Sequence, residues 1–480
     1  MTSETTASNT PGSINKRRSD LMGSEPIGKL LWQFSLPGVI AMLVNATYNI
    51  VDRIFVGGLG PSAIASLTVV FPLQMIIIAI GSGTGIGAAS LVSRRLGEGR
   101  IDEANTTVGQ TLGISIILGA LIAIFGLLLG KPLLKLMGAS EAIMSDSLAY
   151  LTIILGFSIF NFTNMTGNNL VRAGGHPIVP MVAMISGAAI NIILDPIFIY
   201  TLKMGVKGAA IATVIAQVIV TLILFYYLFG NRTDFRVKLR HYIPRFKVWT
   251  EIYRIGGPHT LMSLVGSVAM AFVISIAAPF GDQVIAAYGI LFSFFQLGFM
   301  PCIGISTGAL PLIGYNYGAK NYLRVRSTIR RTFLASMAIT TGISVIAITF
   351  PEALVKLFVL FQKDSSTQDV AGFVKLASHA MRIAFIGFPF VGPQIAFTSF
   401  FQGTGKGLPS AIIGISRQLL LLVPAVYILT TLFGQNGLWF ALPISDTLAF
   451  IFSAIWATIA MCRMGIGLWG KCNKSKSTGK

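Results

Sequence analysis

Residues 37–58 read PGVIAMLVNATYNIVDRIFVGG, and residues 258–279 read PHTLMSLVGSVAMAFVISIAAP. Each is an apolar run of the ~20 residues that carry a helix across a hydrocarbon core ~30 Å thick. Set one above the other, both begin on a proline, Pro37 over Pro258, at an offset of 221 residues. At the same offset and without a gap, Gly60 meets Gly281, Ala65 meets Ala286, and Gly83, Gly87 and Gly97 meet Gly304, Gly308 and Gly318. Further on the offset drifts to about 229, where Gly208 meets Gly437 and Gln217 meets Asp446. The chain is one pattern written twice, and what differs between the copies is what function has to explain.

Hydropathy predicts six spans per copy: near 30–56, 63–92, 103–130, 147–172, 176–201 and 206–230, then 250–278, 284–312, 326–351, 370–402, 407–432 and 436–465. The expected fold is an all-α polytopic membrane protein, twelve transmembrane helices in two pseudo-symmetric six-helix bundles. With six helices each, both copies enter the membrane in the same direction. Such parallel repeats are related by an axis along the membrane normal, with the binding site near their interface. The expected organisation is a cytoplasmic tail over 1–28, an N-lobe over 29–230, a basic connector over 231–249, a C-lobe over 250–465 and a basic tail over 466–480.

Composition agrees. Hydrophobic residues make up 54% of the 480 and charged ones 11%, less than half the ~25% charged of a soluble domain. Mean hydropathy is +0.75. The net charge of +19 would suit nucleic acid if it were spread over one surface. Instead Lys and Arg gather in alternate loops: Arg94, Arg95 and Arg100; seven between Arg232 and Arg254; Lys320, Arg324, Arg326, Arg330 and Arg331. That is the positive-inside bias, with both termini cytoplasmic. The partner it predicts is anionic membrane lipid rather than nucleic acid. The polar first 28 residues lack the apolar core of a cleavable signal. A monomer in the cell membrane is expected.

Charge inside the apolar runs is rare, and a charged group at mid-membrane costs roughly 2.5–3.5 kcal/mol or more, so it usually faces a cavity and does a job. Asp52 and Asp195 stand out; Asp446 is a third acid. At the 221 offset Asp52 falls on Val273, and around Asp195 the second copy is apolar, Leu421 to Ala425. An ion site would therefore sit in the N-lobe alone.

In the first span Asn45, Tyr48, Asn49 and Asp52 lie at i, i+3, i+4 and i+7, drawing a polar stripe on one helical face. Asn191 and Asp195 share a face at i and i+4 of the fifth span, and Thr213 in the sixth offers a further oxygen. Asn161, Asn164 and Asn168 form a second stripe on the fourth. Carboxylate, amide and hydroxyl oxygens suit a hard cation; a buried carboxyl equally well carries a proton. The competing role for the Asn stripe, and for Asp446 opposite Gln217, is bridging between helices. Pro37 and Pro196 each remove a backbone hydrogen bond and favour a kink.

Other strings carry no chemistry. Gly81–Gly87, GSGTGIG, lies inside an apolar run and reads as close helix packing. The Gly403–Gly407 run has Phe400 where a phosphate loop needs its first glycine. His176, His241, His259 and His379 are scattered, the three cysteines lack metal-ligand spacing, and no catalytic cluster appears, so no enzyme and no cofactor is expected. Any pumping would have to draw on an ion gradient.

Tyr48–Val56 (YNIVDRIFV), the RAGG at Arg172–Gly175, NIILDP at Asn191–Pro196 and GAAIAT at Gly208–Thr213, in this order, resemble the multidrug and toxin extrusion (MATE) transporters. The resemblance is to their prokaryotic DinF-type and MepA-like branch and runs from about residue 28 to about residue 465. It implies a V-shaped pair of bundles that alternates access, exporting cationic or amphipathic organic compounds in antiport with Na⁺ or H⁺. It places the ion site, Na⁺ included, on Asp52, Asn191, Asp195 and Thr213, and a bending proline on Pro37. The substrate cavity would draw on Asn45, Tyr48, Asn49, Asn161, Asn164, Asn168 and Asp446, with Phe162, Met165, Phe292 and Phe295 as apolar lining. The alternative is a flippase for lipid-linked oligosaccharide or lipid, of the same broader superfamily, which would need basic residues in the cavity. Arg382 and Arg417 are the candidates to examine.

Overall fold

A computed structural model describes residues 18–230, 233, 235–361, 370–465 and 467–468. The ends of both expected tails and parts of two loops lie outside them. Among the described residues there are helices and no strands. In chain order they are α1 (Arg18–Ser24), α2 (Ile27–Gly57), α3 (Pro61–Gly97), α4 (Ile101–Leu136), α5 (Glu141–Gly156), α6 (Ser158–Ala173), α7 (Ile178–Pro196) and α8 (Gly205–Phe229). The second half supplies α9 (Phe246–Ala277), α10 (Asp282–Gly318), α11 (Tyr322–Thr349), α12 (Pro351–Phe361), α13 (Val370–Ala384), α14 (Val391–Gly403), α15 (Gly407–Ile415), α16 (Val423–Phe433) and α17 (Gln435–Arg463).

Among the described residues ten helices are long and apolar enough to cross a membrane, and two bent pairs, each taken as one span, complete twelve. The bends fall where the sequence predicts continuous helices. α5 and α6 meet at 52°, α13 and α14 at 47°. The second break has a local cause in Gly387 and Pro389, since proline cannot donate to the preceding turn. It recurs at the equivalent span of each half, which makes it part of the repeated pattern.

The core follows the same logic. One cluster at the Arg/Lys-rich end joins both halves, from Leu31 and Val92 through Leu312, Phe333 and Met461. At the other end there are two clusters, one around Val56, Leu151 and Ile199 of the first half and one around Val273, Phe385 and Trp439 of the second. A molecule with one shared core at its basic end and two separate cores at the opposite end is a V.

Glycine makes the shared end close. α2 lies along α10 and α3 along α9. A Cβ on Gly83 or Gly87 would run into the backbone of Gly256 or Ile252, and one on Gly304 or Gly308 into that of Val39 or Phe34. At the tip, Gly97 lies on the Tyr315 carbonyl and Gly318 on the Arg94 carbonyl. Just outside it, Arg324 on α11 donates to the Met22 carbonyl at 3.0 Å and to the Glu25 carbonyl at 2.6 Å, fastening α1 and the start of α2 to the second half.

The connector between the halves is bound to α4. Gln110 donates to the carbonyls of His241 and Ile243 at 2.6 and 2.7 Å and accepts from the Arg245 N–H and Trp249 Nε1 at 2.8 and 2.7 Å. Asn105 accepts from the Arg236 N–H at 2.9 Å, and Arg240 pairs with Asp102 at 2.8 Å.

Candidate ion site and central cavity

Asp195 is the penultimate residue of α7, followed by Pro196 and a π-helical turn over Ile197–Thr201. A proline has no N–H to give, and the wider turn takes up the lost bond. One turn earlier, Asn191 points the same way. With its amide oriented to satisfy both neighbours, it donates to Asp195 Oδ2 at 2.8 Å and accepts from the Thr213 N–H of α8 at 3.1 Å. Asp195 is 0% and Asn191 1% exposed.

Asp52, half-buried on α2, interacts directly with Asp195. One turn before it, the Tyr48 hydroxyl reaches Thr213. The four oxygen-bearing residues that the resemblance points to, Asp52, Asn191, Asp195 and Thr213, are therefore brought together, with Tyr48 of the polar stripe as a fifth. A sixth, Tyr150 of α5, was not anticipated: it lies within electrostatic range of both acids and accepts from Gln74 Nε2 at 3.4 Å. The one signal for it was a lone tyrosine in an apolar run.

No Lys or Arg among the described residues pairs with Asp195. A carboxylate removed from water with no counter-charge is strongly disfavoured, and a second acid beside it makes matters worse. The cluster is acidic and has no basic partner among the described residues.

It opens on a cavity of about 730 Å³ between the halves. Asn191, Thr213, Asn45 and Tyr48 line it, and so do Asn161, Asn164 and Asn168 of α6. Two predicted cavity residues do not. Asn49 is exposed, and its amide bonds back to the Asn45 carbonyl at 2.7 Å. Asp446 is 2% exposed and sits behind Arg417, whose Nε donates to Asp446 Oδ1 at 2.7 Å; Arg417 lines the cavity. Of the predicted apolar lining, Met165 is present, with Phe299 and Met262 from the other half. Phe162 is core instead, and Phe295 packs on Phe385 and Phe388 with ring centroids 4.6 and 4.9 Å apart; Phe292 is exposed.

Pro37 lies buried inside α2, next to Gly38, whose Cα faces the Gly304 carbonyl of α10. Arg382 is far from any such role, exposed and 3.9 Å from Glu352. The cavity arginine that the sequence did not flag is Arg172, in the last turn of α6, 5% exposed.

A family model described as MatE matches residues 37–197 and again 258–428. The two matches begin 221 residues apart. The chain is 29% identical over 422 residues to "Multidrug export protein MepA" of Staphylococcus haemolyticus (strain JCSC1435), covering 88% of this chain and 91% of that one. A solved structure described as the outward-facing conformation of a multidrug resistance MATE family transporter of the MOP superfamily aligns with a TM-score of 0.87 at 29% identity, over 93% of this chain and 98% of that one. With the same values the chain resembles a MOP superfamily transporter from Pyrococcus furiosus Vc1, described as having a binding pocket of reverse polarity that suggests a different function.

Proposed function

This chain belongs to the MatE family, and on that premise we propose that it is a secondary active multidrug exporter of the cell membrane. It moves cationic and amphipathic organic compounds outward in antiport with Na⁺ or H⁺, by alternating access and as a monomer. One observation carries the reading: Asp195, sealed from water without a basic partner, stands against Asp52 at the edge of a large amphipathic cavity.

The coupling ion binds between Asp52 and Asp195, with Thr213 and Asn191 as the remaining polar contacts. Neutralising that pair removes the negative field that holds a cationic substrate near Tyr48 and Asn45. Antiport requires only that ion and substrate favour different conformations. The movable part is α2 at Pro37, where the hydrogen-bond ladder is already interrupted. With the basic loops in the cytoplasm, the end where the halves share a core is the inner one, and the V opens outward.

The second reading is transport of a lipid-linked pyrophosphate. Its support is that two arginines, Arg172 and Arg417, line the cavity. Arg417 is already neutralised by Asp446, which leaves a single guanidinium for two phosphates and places this reading second.

The test is efflux of ethidium from proteoliposomes under an imposed pH or Na⁺ gradient, for wild type beside Asp52→Asn and Asp195→Asn. Gradient-driven efflux in wild type and its loss in both variants is the expected result, and the effective gradient names the ion. Wild-type protein that moves no cation under either gradient would overturn the multidrug reading.

A further inference from the structure

Two arginines face the central cavity, and they are treated differently by the protein around them. Arg417 has Asp446. Arg172 has nothing: among the described residues its guanidinium forms no ion pair and no hydrogen bond, although the residue is 95% removed from solvent. Its Nε is buried without an acceptor. A guanidinium cannot shed its charge and carries five N–H donors in a fixed plane. Leaving all of them unmet in a low-dielectric setting is costly unless an acceptor arrives from elsewhere. One turn earlier on the same face of α6, Asn168 Oδ1 is also buried with no donor to meet it. Both residues line the cavity, but Arg172 Nε and Asn168 Oδ1 are themselves sealed from it, so the part of the guanidinium that a ligand can reach is its two terminal nitrogens, which are neither sealed nor hydrogen-bonded among the described residues.

We propose that Arg172 is an anion-recognition subsite for the transported molecule, taking a carboxylate or phosphate group on its terminal nitrogens. Its plane favours two parallel bonds to a carboxylate. The acidic cluster of Asp52 and Asp195 lies at another wall of the same cavity, reached through Asn191 and Thr213. The cavity therefore presents one positive and one negative pole and selects amphipathic zwitterions over simple cations. This rests on the cavity being the substrate site, as in the transport reading above.

The experiment uses a matched dye pair, rhodamine B with its free carboxylate and the ethyl ester of rhodamine B without it. Binding to the purified full-length protein in phosphatidylcholine nanodiscs is followed by fluorescence anisotropy, with no gradient imposed. Wild type is expected to bind the carboxylate form about tenfold tighter or more, the size of a charge-assisted hydrogen bond. Arg172→Gln should bring the two dyes within about twofold by weakening the carboxylate form, with ester affinity the same or higher once a like charge is gone, and Arg172→Lys should keep part of the preference. Arg172→Gln should also melt no lower than wild type, because no protein partner is stranded. Equal affinities in wild type, or a preference that survives Arg172→Gln, would overturn the subsite. If Arg172→Gln fails to fold, the guanidinium is structural and the proposal falls, whichever dye wild type prefers. Loss of the preference only in nanodiscs containing phosphatidylglycerol would assign Arg172 to a lipid headgroup and overturn it too. Because no gradient is involved, failure here leaves the efflux test untouched, and failed efflux leaves a dye preference standing.

Discussion

Asp195 and Asp446 are buried almost completely, each where a helix next to the cavity packs on its successor, one in each half of the molecule. Their surroundings differ. Around Asp195 the neighbours are Asn191, Thr213 and a second acid; around Asp446 the neighbour is Arg417 at 2.7 Å, itself on a π-helical segment, Ser416–Leu422. One half leaves its buried acid without a basic partner, and the other pairs its buried acid with an arginine. On the transport proposal, a duplicated scaffold is used once as a site and once as a strut. Charge balance, rather than fold, separates the two uses.

The largest effect should come from attacking that difference directly. Asp195→Asn should lower gradient-driven efflux about 100-fold, near the top of what a coupling free energy of 1–3 kcal/mol provides. Asp446→Asn, which keeps a hydrogen-bond acceptor for Arg417, should lower it severalfold at most. Equal losses in the proteoliposome assay would break the comparison. The next effect is on stability. Asp446→Ala strands Arg417 and should cost about 3 kcal/mol, read as a lower melting temperature in detergent. The double change Asp446→Leu with Arg417→Met should recover most of that loss, since a buried pair is replaceable by apolar side chains.

A smaller effect tests the seam between the halves. Gly318→Ala places a methyl against the Arg94 carbonyl and should disfavour the closed basic end by about 1–2 kcal/mol, the scale of overpacking. Labelling of a cysteine introduced at Ala89, on the cavity wall, by an impermeant thiol reagent from the basic side would then rise. Gly97→Ala should do the same to the same degree. The smallest effect is a control on symmetry. Gly60 and Gly281 occupy equivalent sites with φ of +106° and +99° and no atom near an added Cβ. Alanine at either should cost about 1 kcal/mol through backbone strain alone. Unequal melting shifts would show that the halves differ in more than charge.

Much of this was legible before any coordinates. Span count, the two-lobed repeat and the packing role of Gly83 and Gly87 follow from hydropathy and an offset, because both are properties of consecutive residues. Helical spacing put Asn45, Tyr48, Asn49 and Asp52 on one face and Asn191 with Asp195 on another, because polar residues in an apolar run have few ways to face; singling out Asp52, Asn191, Asp195 and Thr213 took the family resemblance. Pairing between distant helices was not legible. Nothing within the sequence around Asp446 announces Arg417, 29 residues away, and nothing around Arg172 announces that it has no ion-pair partner among the described residues. Asn49 fits the polar stripe as well as Tyr48 does, yet it is exposed and turns to its own helix, bonding the Asn45 carbonyl. The bends near Phe157 and Gly387 escaped because hydropathy averages over a break that leaves composition unchanged.

The tip of the seam carries a record of descent. Gly97 rests on the carbonyl of Tyr315, the residue equivalent to Arg94, while Gly318, equivalent to Gly97, rests on the carbonyl of Arg94. Each surface meets the counterpart of its own partner, which is the definition of an isologous, two-fold contact. A single ancestral half, before fusion, already had the geometry to pair with a second copy of itself and shut one end of a shared passage. What the fusion added was the freedom for the two members of that pair to diverge, and the buried bridge of Arg417 to Asp446 opposite an unbridged Asp195 is what divergence made of it.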